Sequence, residues 1–239
     1  MAGWSARRGR GQRTAVGAGE PPPDRYGIVF TLLLASFAAA AVLNERPARI
    51  VTLLLYVGAV LLALRFTDFP ARAVRRLRWG LIAGSVIVAA AVVVSGRLIE
   101  GLAALWTATI LLLTVSVVVR RVLRHRVVTM QTVFGALSAY LLIGFMFAAL
   151  FTAAAKLTTT PLFADGEPAD PNGIQYFAFI TLTTTGYGDL TPAGQPGRSL
   201  AVLEALAGQI FLVTLVARLV SVLGTDRRRS ARDDATPEP

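Results

Sequence analysis

The sequence predicts an all-α membrane protein with six transmembrane helices and, between the fifth and sixth, a short re-entrant helix followed by a glycine-punctuated strand. Three observations predict it. The 239 residues are 54% hydrophobic and only 16% charged, too oily for a water-soluble chain of this length. Six apolar runs, at 27–43, 50–66, 79–96, 101–119, 132–155 and 199–223, approach the roughly 20 residues a helix needs to cross about 30 Å of hydrocarbon. A seventh apolar segment, 174–183, is too short to span and leads into Thr184-Thr185-Gly186-Tyr187-Gly188-Asp189.

Composition also excludes several classes. The formal charge is +10, but the basic residues flank apolar spans instead of forming one stripe with interleaved aromatics, so nucleic acid is not expected as a partner. The chain has no cysteine and one histidine, His125. A disulfide framework, a thiolate nucleophile and a cysteine metal site are therefore ruled out. Paired carboxylates on facing spans and a phosphate loop are missing from the sequence, so neither an enzyme nor a cofactor is expected. The two halves carry no matching broken helices, which argues against a secondary transporter.

In chain order, residues 1–26 read as a disordered basic cytoplasmic tail. The first apolar run ends in Asn44-Glu45-Arg46-Pro47 instead of a small-residue cleavage site, so it is expected to stay as an anchor. Residues 27–119 form a four-helix transmembrane domain. Arginines cluster in the tail, at 65–78, at 120–126 and at 227–232, whereas the alternate loops keep only Arg46, Arg49, Arg97, Lys156 and Arg198. Because basic loops stay in the cytoplasm, this bias predicts a multi-pass cell-membrane protein with both termini cytoplasmic. The acidic residues Asp165, Glu167 and Asp170 then face outward.

The fourth span carries no basic residue from 98 to 119; the first are Arg120 and Arg121, at its inner edge. One charge crossing the membrane yields only about 2.3 kcal/mol per 100 mV, so steep voltage gating needs several buried charges. The four-helix domain is therefore not a voltage sensor of the arginine-rich kind, and weak or no intrinsic voltage dependence is expected. Residues 120–131 read as a basic interfacial linker with two open readings. It is a loop that sets topology, or it contacts anionic lipid head groups, with His125 adding pH sensitivity. Residues 132–223 hold the re-entrant segment, and 224–239 form a short charged cytoplasmic tail. Any ligand gate is then expected from another chain, such as a regulatory subunit, or from the membrane.

The re-entrant segment has a definite chemistry. A cation crossing a low-dielectric barrier loses its water, and stacked backbone carbonyls can replace those oxygens. Aiming successive carbonyls at one axis requires alternating backbone handedness, which Gly186 and Gly188 supply without steric penalty. A single strand builds only part of such a cage, so several chains must surround the axis. The short preceding helix would turn its partially negative carboxyl end toward the membrane interior and favour a cation there.

At these residues the chain resembles the potassium-channel family, whose filter reads Thr-Val/Ile-Gly-Tyr-Gly-Asp. The resemblance covers about 90 residues, 131–223. It implies a tetrameric pore, built as a homotetramer, with a pore helix and filter between helices 5 and 6. Potassium sites would be formed by the carbonyls of Thr184, Thr185, Gly186 and Tyr187 with the Thr184 hydroxyl, and Gly188 completes the strand. Asp189 would brace the outer mouth. Gly208, nineteen residues after Asp189, falls where the family carries its inner-helix glycine, as a gating hinge or as a site of close helix packing. The single lysine among 24 basic residues and the compact loops fit the prokaryotic type.

The chain departs from the family pattern at four places. Thr185 replaces the usual valine or isoleucine, and its hydroxyl is free to bond behind the filter. Tyr176 and Phe177 stand where tryptophans often support the filter, and Phe177 offers no hydrogen bond to Tyr187. Ile180 stands where some members have a glutamate. Glu204 is an ionisable residue inside the last span and a functional candidate for that reason. It either supports the filter from behind, near Thr185 or the pore helix, or reaches the interface or a bound water. Two alternatives to a potassium-selective channel stay open: a non-conducting regulatory membrane subunit and a weakly selective cation channel.

Overall fold

The computed structural model describes residues 26–42, 58, 75, 79–80, 82–86, 96–124 and 130–233. They form helices α1 (Tyr26–Val42), α2 (Arg97–Arg124), α3 (Met130–Leu157), α4 (Pro171–Leu182) and α5 (Gln195–Asp233). Among the described residues three helical stretches are long and apolar enough to cross a membrane: Arg97–Leu123, Met130–Leu157 and Gln195–Arg218. A shorter apolar stretch, Tyr26–Ala38, lies in α1. The expected span at 50–66, apart from residue 58, and most of the one at 79–96 lie outside the described residues. So do residues 1–25, 125–129 with His125, and 234–239.

Two helices run past the ends of the expected spans. Helix α2 continues through Arg124, so Arg120, Arg121 and Arg124, at the start of the expected linker, are helical. No glycine or proline interrupts 102–129, and arginine and leucine are good helix formers. Helix α5 likewise runs to Asp233, so the first ten residues of the expected tail are helical. The next proline after α5 begins is Pro237, apart from Pro196 in its first turn, and nothing earlier forces the helix to stop.

Helices α2 and α3 form an antiparallel hairpin, fastened at one end by polar contacts. Lys156 Nζ lies 2.6 Å from Glu100 Oε2, and Arg97 donates to the carbonyls of Ala155 (3.3 Å) and Thr158 (3.0 Å). The other basic residues of α2, Arg120, Arg121 and Arg124, lie at its opposite end. Helix α1 packs on this hairpin through Tyr26, Val29 and Leu33, buried with Leu111, Val118, Ala139, Leu142 and Phe145.

A second apolar cluster holds α4. Phe177 stands edge-on between Phe151 (5.0 Å) and Phe163 (5.3 Å), while Ile174, Ala178 and Leu182 bury beside Ile143 and Phe147. On the next face Phe179 meets Phe37 of α1 and Phe145 of α3, each at 5.2 Å. The chain after α3 and the chain before α5 are tied together where Ala164 N–H donates to Thr191 O (2.8 Å) and Ala193 N–H to Leu162 O (2.9 Å). Large aromatic contacts of this kind contribute about 0.5–1.5 kcal/mol each beyond area burial. They fix α4 against neighbours on two sides.

Helix α5 closes the third side. A Cβ at Gly208 would lie 2.5 Å from Leu182 O and 2.9 Å from Leu182 Cδ1, so the backbones of α5 and of the last turn of α4 meet at this glycine. In an open helix Gly→Ala stabilises by about 0.5–1 kcal/mol. Here the new methyl meets a backbone oxygen that cannot swing aside, and overpacking costs about 1–3 kcal/mol. Gly208→Ala is therefore expected to lower the unfolding midpoint of the purified protein in detergent; a higher midpoint would mean that α5 does not close on α4.

Candidate functional site

The site grows from the two ends of α4. At its start Asp170, in an extended conformation, accepts a 2.6 Å hydrogen bond from Gly173 N–H, and Pro171 opens the helix. An aspartate cap followed by proline satisfies one orphan donor and removes another. At its end the chain does not continue into a second helical layer but folds its own amides back. Thr184 N–H donates to Thr181 O (2.9 Å), and both Thr185 N–H (2.9 Å) and Gly186 N–H (3.2 Å) donate to Ile180 O. Thr183 Oγ1 donates to Phe179 O at 2.8 Å. The strand is thus hung from the carboxyl end of α4 by its N–H groups.

Its carbonyls are left over. None of the carbonyls of residues 184–188 accepts a hydrogen bond from a described residue. The backbone handedness alternates along the same stretch, with positive φ at Thr184 (57°), Gly186 (51°) and Gly188 (82°) and not at Thr185 or Tyr187. Alternation of this sort turns each peptide so that successive carbonyls leave one side of the strand. Two of the three positions are the glycines the sequence singles out; the third is Thr184, where a β-branched residue bears the strain. Residues 183–189 are all exposed in the single chain, Tyr187 at 72%.

Support for the strand comes from named side chains. Tyr176 Oη donates to Asp189 Oδ2 at 2.7 Å, joining the first half of α4 to the far end of the strand. That hydrogen bond, followed by partial burial and the carboxylate's charge, pushes the Tyr176 phenol up to about 12, so it remains a donor throughout the neutral range. Phe177 makes no approach to Tyr187; it is buried between Phe151 and Phe163. The Thr185 hydroxyl pairs with the Thr183 hydroxyl at 2.9 Å, within the strand. Ile180 offers its carbonyl, through which two strand amides are held.

Helices α3 and α5 meet the other end. Tyr140 Oη donates to Leu182 O at 3.3 Å, with its ring stacked on Phe211 at 5.9 Å. Gln209 Nε2 donates to Thr184 Oγ1 at 3.3 Å. Glu204, one turn before Gly208, is 0% exposed, and neither of its carboxyl oxygens has a hydrogen-bond partner among the described residues. It is enclosed in the chain instead of reaching its surface, and it lies within electrostatic reach of Tyr140. No hydrogen bond joins it to Thr185 or to α4. Among the described residues no group of three or more His, Cys, Asp or Glu side chains is placed to hold a metal.

Sequence reasoning missed three contributors: Tyr140, the Ile180 carbonyl and Gln209. The first two carry no signal, because the pairing of a tyrosine on one helix with a carbonyl on another depends on packing. Gln209 does carry one, since an amide inside an apolar span invites the same question as the carboxyl of Glu204.

Comparison with known proteins bears on this same stretch. A family model described as "Ion channel" matches residues 136–225, from the first turns of α3 through most of α5. Protein LctB of Geobacillus stearothermophilus is 45% identical over 53 residues, which make up 22% of this chain and 37% of that protein's length. Together with the apolar helices, the match supports an ion-channel family, a membrane-embedded chain and a role in ion transport.

Proposed function

We propose that the chain is one subunit of a potassium-selective channel, in which residues 184–188 line the permeation path with their carbonyls. The observation that carries this reading is a run of five carbonyls without donors among the described residues, on a backbone of alternating handedness whose first three amides are tied back to α4. Such an array replaces an ion's hydration shell and needs no reorganisation to do so. The Thr184 hydroxyl adds a further oxygen, and the carboxyl end of α4 beneath the strand favours a cation.

One strand forms one wall of a cage. The exposed strand and the outward face of α5, where Val202, Leu206, Ile210 and Val213 are each more than half exposed, fit a homotetramer around a central axis. The membrane orientation follows from charge. Arg120, Arg121 and Arg124 of α2 mark the cytoplasmic end, and Asp165, Glu167 and Asp170 mark the outer one, with both termini inside. Gating by voltage is not built in, because α2 carries no basic residue from 98 to 119.

A weakly selective cation pore is the second reading, and one observation favours it. With Phe177 in the core and the Thr185 hydroxyl engaged inside the strand, Tyr187 has no hydrogen-bond partner among the described residues of its own chain to hold the strand's diameter.

Flux into liposomes carrying the purified protein separates these readings. Potassium uptake well above sodium uptake, abolished in Gly186→Ala, is the expected outcome. Equal uptake of both ions would select the weakly selective pore, and no uptake would select a non-conducting subunit. In planar bilayers conductance is expected to change little with potential; a steep conductance–voltage curve would overturn the reading of α2. Loss of the outer brace in Tyr176→Phe is expected to shorten openings several-fold. Because the phenol's value rises from 10.0 to about 12 on bonding Asp189, this bond is fully present below about pH 10 and lost as pH rises through 12. The difference between variant and wild type should therefore be constant from pH 7 to 9. Single-channel recordings at the two pH values check it.

A further inference from the structure

We infer that Gln209 is a positioning residue for the innermost ion site, acting through the Thr184 hydroxyl. The inference rests on the channel reading above and goes beyond it, to a side chain that no filter motif contains.

The geometry starts from α5. Gly208 brings that helix into backbone contact with Leu182, the last residue of α4, two positions before Thr184. The next residue of α5 then lies beside the start of the strand, and Gln209 Nε2 donates to Thr184 Oγ1 at 3.3 Å. The same hydroxyl donates its single proton to Thr183 O at 2.7 Å. A threonine hydroxyl has one donor and two lone pairs. With the proton committed to Thr183 and one lone pair to Gln209, one lone pair remains, and its direction is fixed by the other two bonds. That lone pair is the oxygen donor available to a cation at the base of the strand.

Without Gln209 the hydroxyl keeps one anchor and can rotate about it. A dehydrated ion at that level would then meet an oxygen whose orientation has to be restored each time, and preorganisation is what such a site depends on. Gln209 is exposed in the single chain, so an apolar replacement of equal length opens no cavity in the core. The backbone carbonyls farther along the strand are tied to α4 by other bonds and do not depend on this amide. Gln209 therefore acts on one end of the ion path only.

The experiment uses barium, a divalent cation of nearly potassium's size, as a blocker of potassium current in bilayers, added in turn to each side. Gln209→Met keeps the length and removes the donor; Gln209→Leu serves in its place if the first variant does not assemble. Loss of one neutral hydrogen bond corresponds to about fivefold in affinity, so block from the α5 side is expected to weaken at least about fivefold. Block from the Asp189 side should be unchanged. Unaltered block from both sides, or equal weakening from both with reduced ion preference, would overturn the role of Gln209. A wild-type protein without potassium preference would instead overturn the potassium-selective reading, and the inference with it.

Discussion

A peptide carbonyl held away from water without a donor costs several kcal/mol, and within a membrane every such group must find a partner. Residues 184–188 present five successive carbonyls with no donor among the described residues. Regular secondary structure would satisfy these groups and thereby hide them, so the chain has to avoid both helix and sheet while remaining fixed in place. Alternating handedness at Thr184, Gly186 and Gly188 achieves the first condition. The rest of the described structure serves the second.

Fixing the strand without using its carbonyls leaves only its amides, side chains and ends. The amides of Thr184, Thr185 and Gly186 go to the exposed carbonyl end of α4, which has acceptors to spare because the last turn of any helix lacks intrahelical partners. The far end is held by the Tyr176–Asp189 bond, the near end by Gln209 on Thr184. These contacts are accurate only if α4 itself is immobile. Its aromatic seat supplies that, with Phe177 between Phe151 and Phe163 and Phe179 against Phe37 and Phe145. On the proposed reading, ion selectivity is limited by how rigidly this apolar seat transmits its order to the strand.

How far the sequence discloses this depends on the range of each interaction. Gly186 and Gly188 are legible because positive φ excludes most other residues locally, and the α4 start is legible in the Asp170-Pro171 pair. The long apolar runs disclose α3 and the apolar part of α5, since hydrocarbon thickness sets helix length whatever the neighbours. Helices run past the apolar spans to Arg124 and Asp233 because the basic composition that marks the membrane boundary does not stop a helix. Thr184's positive φ was not legible, as threonine is ordinarily a poor choice for it. Phe177 differs again: its position along the chain says that it offers no hydrogen bond to Tyr187, but not that its ring is seated between Phe151 and Phe163. Tyr140 and Ile180 act through contacts that exist only once α3, α4 and α5 have packed.

Helix α5 concentrates three unlike residues within six positions, and their spacing decides what each can do. Glu204 and Gly208 are four apart and share the face turned to α3 and α4, one enclosed without a hydrogen-bond partner among the described residues and the other flush against Leu182. Gln209 follows at about 100° around the helix and meets the strand. The apolar residues Val202, Leu206, Ile210 and Val213 occupy positions left exposed by the single chain. A buried carboxyl without a hydrogen bond costs stability, by about 1–3 kcal/mol or more for a charged group, and the cost falls at the contact that sets the position of α5. Because Gly208 and Gln209 are adjacent on one rigid helix, α5 cannot slide or turn at Leu182 without also moving the amide bonded to Thr184. On the proposed reading, a displacement of α5 at its cytoplasmic end and the order of the innermost ion site are therefore one mechanical variable, coupled through two neighbouring residues.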